Sequence, residues 1–383
     1  MWADAFVRCG DAGNDGTGAP RPLTAQPLHD RPGAVLHGSC DLGTRPILAA
    51  ALDVVTRIPC PVLHLDLSAV AFLDPAAGDF VHPALFYQGQ ADYLAGVGGF
   101  VRAALAADEP VLVAVPGPRL DALRDSLGAD AAGVTWTDMA QLGRNPGRIL
   151  AALQEFTDRQ EGRPARIVGE PIWPGRSQAE VQEATRHEAL INTAFAGRQA
   201  TVLCPYDVLG LPAAVVSDAR RTHPTVIVED KNLLSPEYAD ASVVCADCDS
   251  PLPESDGGVP RFAYTSGGLG EVRAYTEAWA RGTALSAARR GDLILAVSEA
   301  AANSLAHGGG NGSLRLWSTG AGGVVAEIRD AGHLADPLAG RRRPALASVN
   351  GGRGLWLIHQ LCDLVETRAS DSGLTLRMHM TCS

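Results

Sequence analysis

The sequence predicts an α/β protein of more than one domain, and three observations carry that reading. Across residues 80–250, apolar runs of strand length alternate with longer runs of helical spacing. That pattern belongs to a mainly parallel sheet covered on both faces. Residues 246–262 (ADCDSPLPESDGGVPRF) are rich in Pro, Gly, Asp and Ser and mark a linker. The chain is 383 residues long, the size of two or three domains.

The elements follow in order. Residues 1–32 are Gly/Pro/Asp-rich and aperiodic, and are expected to be a disordered lead-in. Over 33–79, GAVLHGSCDL alternates as a strand and TRPILAAALDVVTRI has helical spacing with Thr44 at its start. PVLHLDLSAVAFLD is strand-like again, which makes a β-α-β segment. The unit at 80–245 alternates helix-like ADYLAGVGGFVRAALAADE, strand PVLVAVP, helix PRLDALRDSLG, strand RIVGEPIW, helix SQAEVQEATRHEALINTAF, strand ATVLCPYD, helix LPAAVVSDARRTH and strand TVIVE. After the linker, residues 263–383 form a third unit.

Composition excludes several functions. The net charge is −11, which argues against general nucleic-acid binding. No apolar run reaches bilayer-spanning length, and the first 20 residues lack a basic-then-apolar signal pattern, so a cytoplasmic protein with no membrane partner is expected. The only lysine is Lys231, in VEDKNLL, with no glycine before it. A P-loop needs a lysine directly after its glycine turn, so none exists in this chain. Cys245 and Cys248 form a CxxC without a second ligand pair, which reads as ordinary reduced thiols.

Three segments of the last unit carry chemistry. In DLILAVSEAAANSLAHG, helical spacing sets Glu299, Asn303 and His307 four apart on one face. A carboxylate and an amide one turn apart can position Mg2+ and orient a proton acceptor. In VVAEIRDAG an apolar strand ends in Asp330, where a carboxylate can accept from an adenine amino group. Gly332 lets the backbone approach the base. In NGGRGLWLIHQLCDLVE, Gly351, Gly352 and Gly354 precede an amphipathic helix whose free N–H groups suit phosphate. The strand LTLRMHM closes the unit.

In this order the segments resemble the N, G1 and G2 boxes of the gyrase/Hsp90/histidine-kinase superfamily. EAAANSLAHG and GGRGLWLIHQLCD are most similar to the bacterial anti-sigma-factor serine-kinase family, over about 263–383. The resemblance implies a two-layer α/β sandwich that binds ATP and Mg2+. Asn303 would be the Mg2+ ligand and Glu299 the general base. Asp330, beside Gly332, would read adenine, Gly352 and Gly354 would lie against the phosphates, and Thr375 would reach the adenine side. His307 would be structural or phosphate-adjacent. The implied activity is phosphorylation of Ser/Thr on a partner anti-sigma-factor antagonist, with a sigma factor as a competing partner. The alternative is a non-catalytic switch that sequesters a partner. Members of the family often form homodimers. The run Asp330-Ala331-Gly332-His333-Leu334 lacks the second glycine common in the G1 box. Arg341-Arg342-Arg343 falls in the implied lid, either as a solvated basic loop or as a phosphate or partner contact.

Residues 33–79 either resemble the first half of a STAS domain, whose strand ends in Asp followed by a phosphorylatable Ser or Thr, or are a generic β-α-β piece packing on a neighbour. Here the run is Asp74-Pro75-Ala76-Ala77-Gly78, with no hydroxyl, so this site cannot accept a phosphoryl group. Residues 80–230, with GDFVHPALFYQGQADYLAGVGGFVRAALAADEPVLVAVP, RIVGEPIWPGR, RHEALIN and LCPYD, look like the MEDS sensory domain. That resemblance implies a small organic ligand. His82 and Tyr87, five apart, are expected to flank its pocket, with Trp173, His187, Glu188 and Tyr206 as further candidates.

Overall fold

The structure is a computed structural model that describes residues 6–8, 24–27, 33–40, 64–72, 80–229, 231–255, 258–320, 322–344, 353–370 and 372–382. The chain divides into two units, 1–77 and 78–383. In the first, β1 (Phe6–Arg8), β2 (Thr24–Pro27), β3 (Gly33–Cys40) and β4 (His64–Phe72) form one sheet in the order β1-β4-β3-β2. β3 and β4 pair in parallel, as a β-α-β segment requires, with a register shift between Val35 and His37. β1 and β2 lie in the stretch expected to be disordered. At three and four residues they are too short to show periodicity in the sequence. The helix expected over 44–58 and the Asp74–Gly78 run lie outside the described residues.

The second unit opens with a seven-stranded sheet. Its strands are β5 (Pro83–Tyr87), β6 (Val111–Val115), β7 (Val134–Asp138), β8 (Ala165–Gly169), β9 (Ala200–Asp207), β10 (Thr225–Val228) and β11 (Lys231–Leu234), in the order β11-β10-β5-β9-β8-β6-β7. Every pair is parallel except the β10–β11 hairpin. α1 (Gly89–Ala106) and α2 (Gly117–Leu127) cover one face, burying Tyr93, Val97, Leu120 and Leu123 against Val111, Val113 and Val115. α3 (Met139–Leu142), α4 (Ile149–Asp158), α5 (Gln178–Ala194), α6 (Ala213–Thr222) and α7 (Ala241–Asp247) cover the other, against Ala84, Leu112, Ile167 and Val202. Because both faces are covered, β6 is buried at all five positions and reads as an unbroken apolar run.

α5 starts at a capping box: Glu180 N–H donates to Ser177 Oγ, and Ser177 N–H donates to Glu180 Oε2. Its middle buries Glu183, Arg186, His187 and Glu188, which is unusual for such residues. The cause is that α5 is covered on both sides, by its own sheet and by the C-terminal domain.

That domain comprises β12 (Phe262–Thr265), α8 (Leu269–Ala280), α9 (Ala287–His307), β13 (Asn311–Ser318), β14 (Val324–Asp330), α10 (Arg353–Leu361), β15 (Leu364–Ser370) and β16 (Gly373–Met380). The antiparallel sheet runs β12-β13-β14-β16-β15. Helices lie on one face only, joining Val272, Leu293, Val297 and Ile358 to Leu314, Ala326, Ile328, Leu376 and Met378 in one core. On the other face a buried Glu327 pairs with Arg377 at 2.6 Å. Part of the expected linker packs there too: Arg377 Nη2 donates to Pro253 O at 2.8 Å, and Arg329 pairs with Glu254 at 2.8 Å. Among the described residues, no helix is long and apolar enough to cross a membrane.

Candidate functional site

α9 buries an alanine-rich side (Ala296, Ala300, Ala301) and starts at Ser286, whose Oγ accepts from Arg289 N–H at 3.2 Å. Glu299 and Asn303 are left half-buried, one turn apart. They meet the first turn of α10. A Cβ at Gly354 would sit 3.0 Å from Glu299 Oε2 and 3.1 Å from Asn303 Nδ2, so glycine is what admits the N-terminal backbone of α10 to both side chains. A carboxylate and an amide oxygen are the hard donors that suit Mg2+, and the free N–H groups of a helix start suit phosphate. The residues present therefore fit Mg2+ and a nucleotide phosphate. Beside them opens a cavity of about 400 Å³ lined by Glu299, Arg343, Pro344, Arg353, Trp356 and Leu357. Two guanidinium groups and the Glu299 carboxylate thus line it together.

β14 delivers Asp330 to the other end of the site. Gly332 N–H donates to Asp330 Oδ1 at 2.8 Å, which fixes the carboxylate. A Cβ at Gly308 would overlap Asp330 Cγ, and one at Gly332 would lie 2.8 Å from His307 O. Both glycines thus let the end of α9 close on the end of β14, where Ala331 N–H donates to Gly308 O at 3.3 Å. Behind them Tyr264 is buried, and burial pushes its phenol up to about 12.

The structure therefore gathers Glu299, Asn303 and Gly354 at one end, and Asp330 and Gly332 at the other. The His307 side chain is exposed, and only its carbonyl approaches Gly332. Gly352 lies outside the described residues. Thr375 needs correction. It pairs with Arg329, whereas Leu374 pairs with Asp330. Paired residues share a face and neighbours alternate, so Thr375 points away from the Asp330 side and Leu374 takes its place.

Of the arginine run only Arg341 is buried, against the domain of the seven-stranded sheet, while Arg342 and Arg343 stay exposed. Gly340, at φ +76, turns the chain so closely over α10 that a Cβ there would lie 2.6 Å from Leu355 Cβ. Arg341 is thereby driven inward, and its Nη2 donates to Glu183 Oε2 of α5 at 2.7 Å. Arg368 of β15 bonds the other oxygen of Glu183. Arg343 pairs with Glu155 of α4 at 3.3 Å, while Arg342 is exposed beside the same helix. A second grip holds the far end of α10. Arg148 donates to the carbonyls of His359, Gln360 and Cys362 at 2.7–2.8 Å, and Asn145 Nδ2 donates to His359 O at 3.0 Å. These are the carbonyls a helix C-terminus leaves unpaired. His359, under this cap, is held well below its ordinary pKa by burial and by Arg341 and Arg148. Arg148→Ala is expected to destabilise the chain by about 2–3 kcal/mol, the scale of lost hydrogen bonds from a charged donor, measured by urea unfolding. Neither grip has a local sequence signal beyond the arginine run, because the partners lie far apart along the chain.

In the domain of the seven-stranded sheet, His82 and Tyr87 do not share a face. They bracket β5, which sets them roughly 16 Å apart and, at an odd separation, on opposite faces. Tyr87 lies under Arg119, 5.2 Å from its ring centroid, and Arg119 also bonds Glu170 and approaches Asp207 at 3.5 Å. His82 faces α5 and lies 3.0 Å from Glu188. His187 is buried, and burial lowers it to about 4. Cys245 and Cys248 are free buried thiols at the end of α7.

Comparison with known families agrees with this division. No curated protein matches the chain. Residues 81–224 match the family described as MEDS, the methanogen/methylotroph, DcmR sensory domain. Residues 262–380 match the histidine kinase-like ATPase domain. Neither match reaches the β1–β4 sheet. The chain carries a MEDS sensory domain followed by a histidine kinase-like ATPase domain, the pairing of a signalling regulator that binds ATP.

Proposed function

We propose that this regulator is a protein serine/threonine kinase of the anti-sigma type, acting on a hydroxyl of a partner antagonist under the control of its sensor. The observation that carries the reading is the meeting of Glu299, Asn303 and Gly354, which sets a carboxylate beside the phosphate-binding start of α10. Bound Mg2+ would neutralise phosphate charge. Asn303 offers it an amide oxygen, Glu299 is placed to take the proton of an incoming hydroxyl, and Arg343 and Arg353 hold the anionic side of the cavity. The Asp74–Gly78 run contains no hydroxyl, so the acceptor lies in another chain, as this reading has it, or elsewhere in this one.

A second reading has its own support. Because Arg341 of the lid is bound to Glu183 of the sensor, nucleotide binding and sensor state would be linked even without transfer. The chain would then be a switch that sequesters its partner. Incubation with labelled ATP, Mg2+ and a panel of anti-sigma antagonists separates the two. Label on an antagonist supports the kinase, and no label with intact partner binding selects the switch. Asn303→Ala is expected to abolish Mg2+-dependent turnover while leaving the fold intact by circular dichroism. Retained Mg2+-ATP turnover would remove Asn303 from the site.

A further inference from the structure

We propose that the sensor domain binds a divalent transition-metal ion, zinc by the chemistry of its donors, through His82, Glu188, Cys204 and His223. His82 precedes β5, Cys204 lies on the neighbouring β9, Glu188 projects from α5, and His223 ends α6 just before β10. All four are at least 98% buried, and one donor atom from each lies within 4.8 Å of all the others.

The hydrogen bonds around the cluster decide what it lacks. Asn192 Nδ2 donates to Thr222 O at 2.8 Å, which turns its Oδ1 toward His82 Nδ1 at 3.0 Å. His82 Nδ1 must therefore carry the proton. His223 Nδ1 lies 2.7 Å from Ala219 O, a pure acceptor, so it carries the proton too. Both neutral rings are thus left with an Nε2 lone pair pointing inward. Those lone pairs meet the same Glu188 Oε2, at 3.0 Å from His82 and 3.3 Å from His223. Lone pair against carboxylate is repulsive, and His223 Nε2 has no hydrogen-bond partner. Something positive belongs between them. Two imidazolium ions are a poor solution, because the rings are 4.0 Å apart in a dry interior with one carboxylate between them. A metal ion satisfies every group at once. Backbone or amide oxygens on the Nδ1 side are also what orients metal-bound histidines.

The spacing agrees. With metal–nitrogen and metal–oxygen bonds of about 2.0–2.1 Å, the donors of a tetrahedral zinc site are about 3.3 Å apart, and a sulfur stands slightly farther off. The Cys204 sulfur is 3.4 Å from His82 Nε2 and 3.5 Å from Glu188 Oε2. Two imidazoles, a carboxylate and a thiolate in a closed four-donor set suit zinc better than Mg2+ or Ca2+. The site bears on the ATPase through α5. Glu188 lies five residues beyond Glu183, about 7.5 Å along the helix axis, so one rigid element carries both the metal ligand and the lid contact.

The test uses the full chain and the metals themselves, with no nucleotide. Protein purified from zinc-supplemented growth is expected to hold one zinc per chain by elemental analysis. Chelation followed by Co2+ should give a tetrahedral visible spectrum with a thiolate-to-cobalt band. Cys204→Ser should lose that band. Asn192→Leu, which removes a positioning group and no ligand, should weaken metal affinity about 10- to 100-fold. Folded wild-type chain without stoichiometric zinc and without the thiolate band overturns the proposal, as does a Cys204→Ser chain that keeps the band. Should Cys204→Ser not fold, the wild-type spectrum and the Asn192→Leu affinity still decide it.

Discussion

Replacing Glu183 by alanine is expected to lower the stability of the folded chain by about 3–5 kcal/mol, the range seen when one partner of a buried ion pair is removed. Glu183 is fully buried, and the guanidinium groups of Arg341, Arg368 and Arg186 converge on it. Asp249 and Glu366 balance the remaining charge, through Arg186 at 2.9 Å and Arg368 at 3.3 Å. Without Glu183, Arg341 and Arg368 lose their shared carboxylate in a place water does not reach, and the desolvation of each is no longer offset. An exposed pair makes the control. Arg281 and Glu277 lie 2.7 Å apart on α8 with most of both side chains in solvent, and Arg281→Ala should change stability by about 0.2–1 kcal/mol. Urea unfolding of both variants measures the contrast. Equal, small effects would mean that the junction is solvated and that Arg341 does not anchor the turn over α10. The variant should also bind ATP more weakly, since the turn that carries Arg343 of the cavity loses its hold on α5.

What the sequence disclosed divides along physical lines. β9 and α5 were legible because each is long, regular and bounded by clear signals, with Ser177 as a cap at the start of α5. β7 and α4 were not. β7 is a five-residue edge strand, mostly half-exposed, so it lacks both an apolar run and clean alternation. α4 follows a turn through Gly143, Pro146 and Gly147 that reads as loop. In the ATPase domain, Glu299, Asn303, Asp330 and Gly354 were legible because each motif is local to one helix, strand end or turn. Thr375 misled by a single residue: the strand was identified, but its facing is set by pairing with β14, and a one-residue shift inverts the faces. Likewise His82 and Tyr87 looked like neighbours until β5 separated them. The junction and the His82/Glu188/Cys204/His223 cluster assemble residues more than a hundred positions apart, which no local spacing reveals.

Asp330→Asn is expected to weaken ATP binding by about 1.5–3 kcal/mol, or about 10- to 100-fold, while leaving the fold unchanged. Asp330 Oδ1 already accepts from Gly332 N–H, and that bond survives in asparagine if its amide oxygen takes the same position. The change then falls on the second oxygen, which has no hydrogen-bond partner among the described residues. In aspartate it is an acceptor, suited to the amino group of adenine. In asparagine it becomes an NH2 that would confront that amino group, donor against donor. The same NH2 can donate to the carbonyl at the corresponding position of guanine. Discrimination should therefore shift as well as affinity, with ATP losing more than GTP, because a site built to pair one polar group is left unpaired by its counterpart. Calorimetric titration of both nucleotides, with and without Mg2+, reads this directly. Equal losses for ATP and GTP would point to a general disturbance where α9 meets β14, and unchanged ATP affinity would place the base elsewhere. Leu374, paired with Asp330 across the sheet, supplies a second check. Leu374→Ala should weaken both nucleotides alike, since it removes apolar surface from the cleft without altering which base the carboxylate prefers.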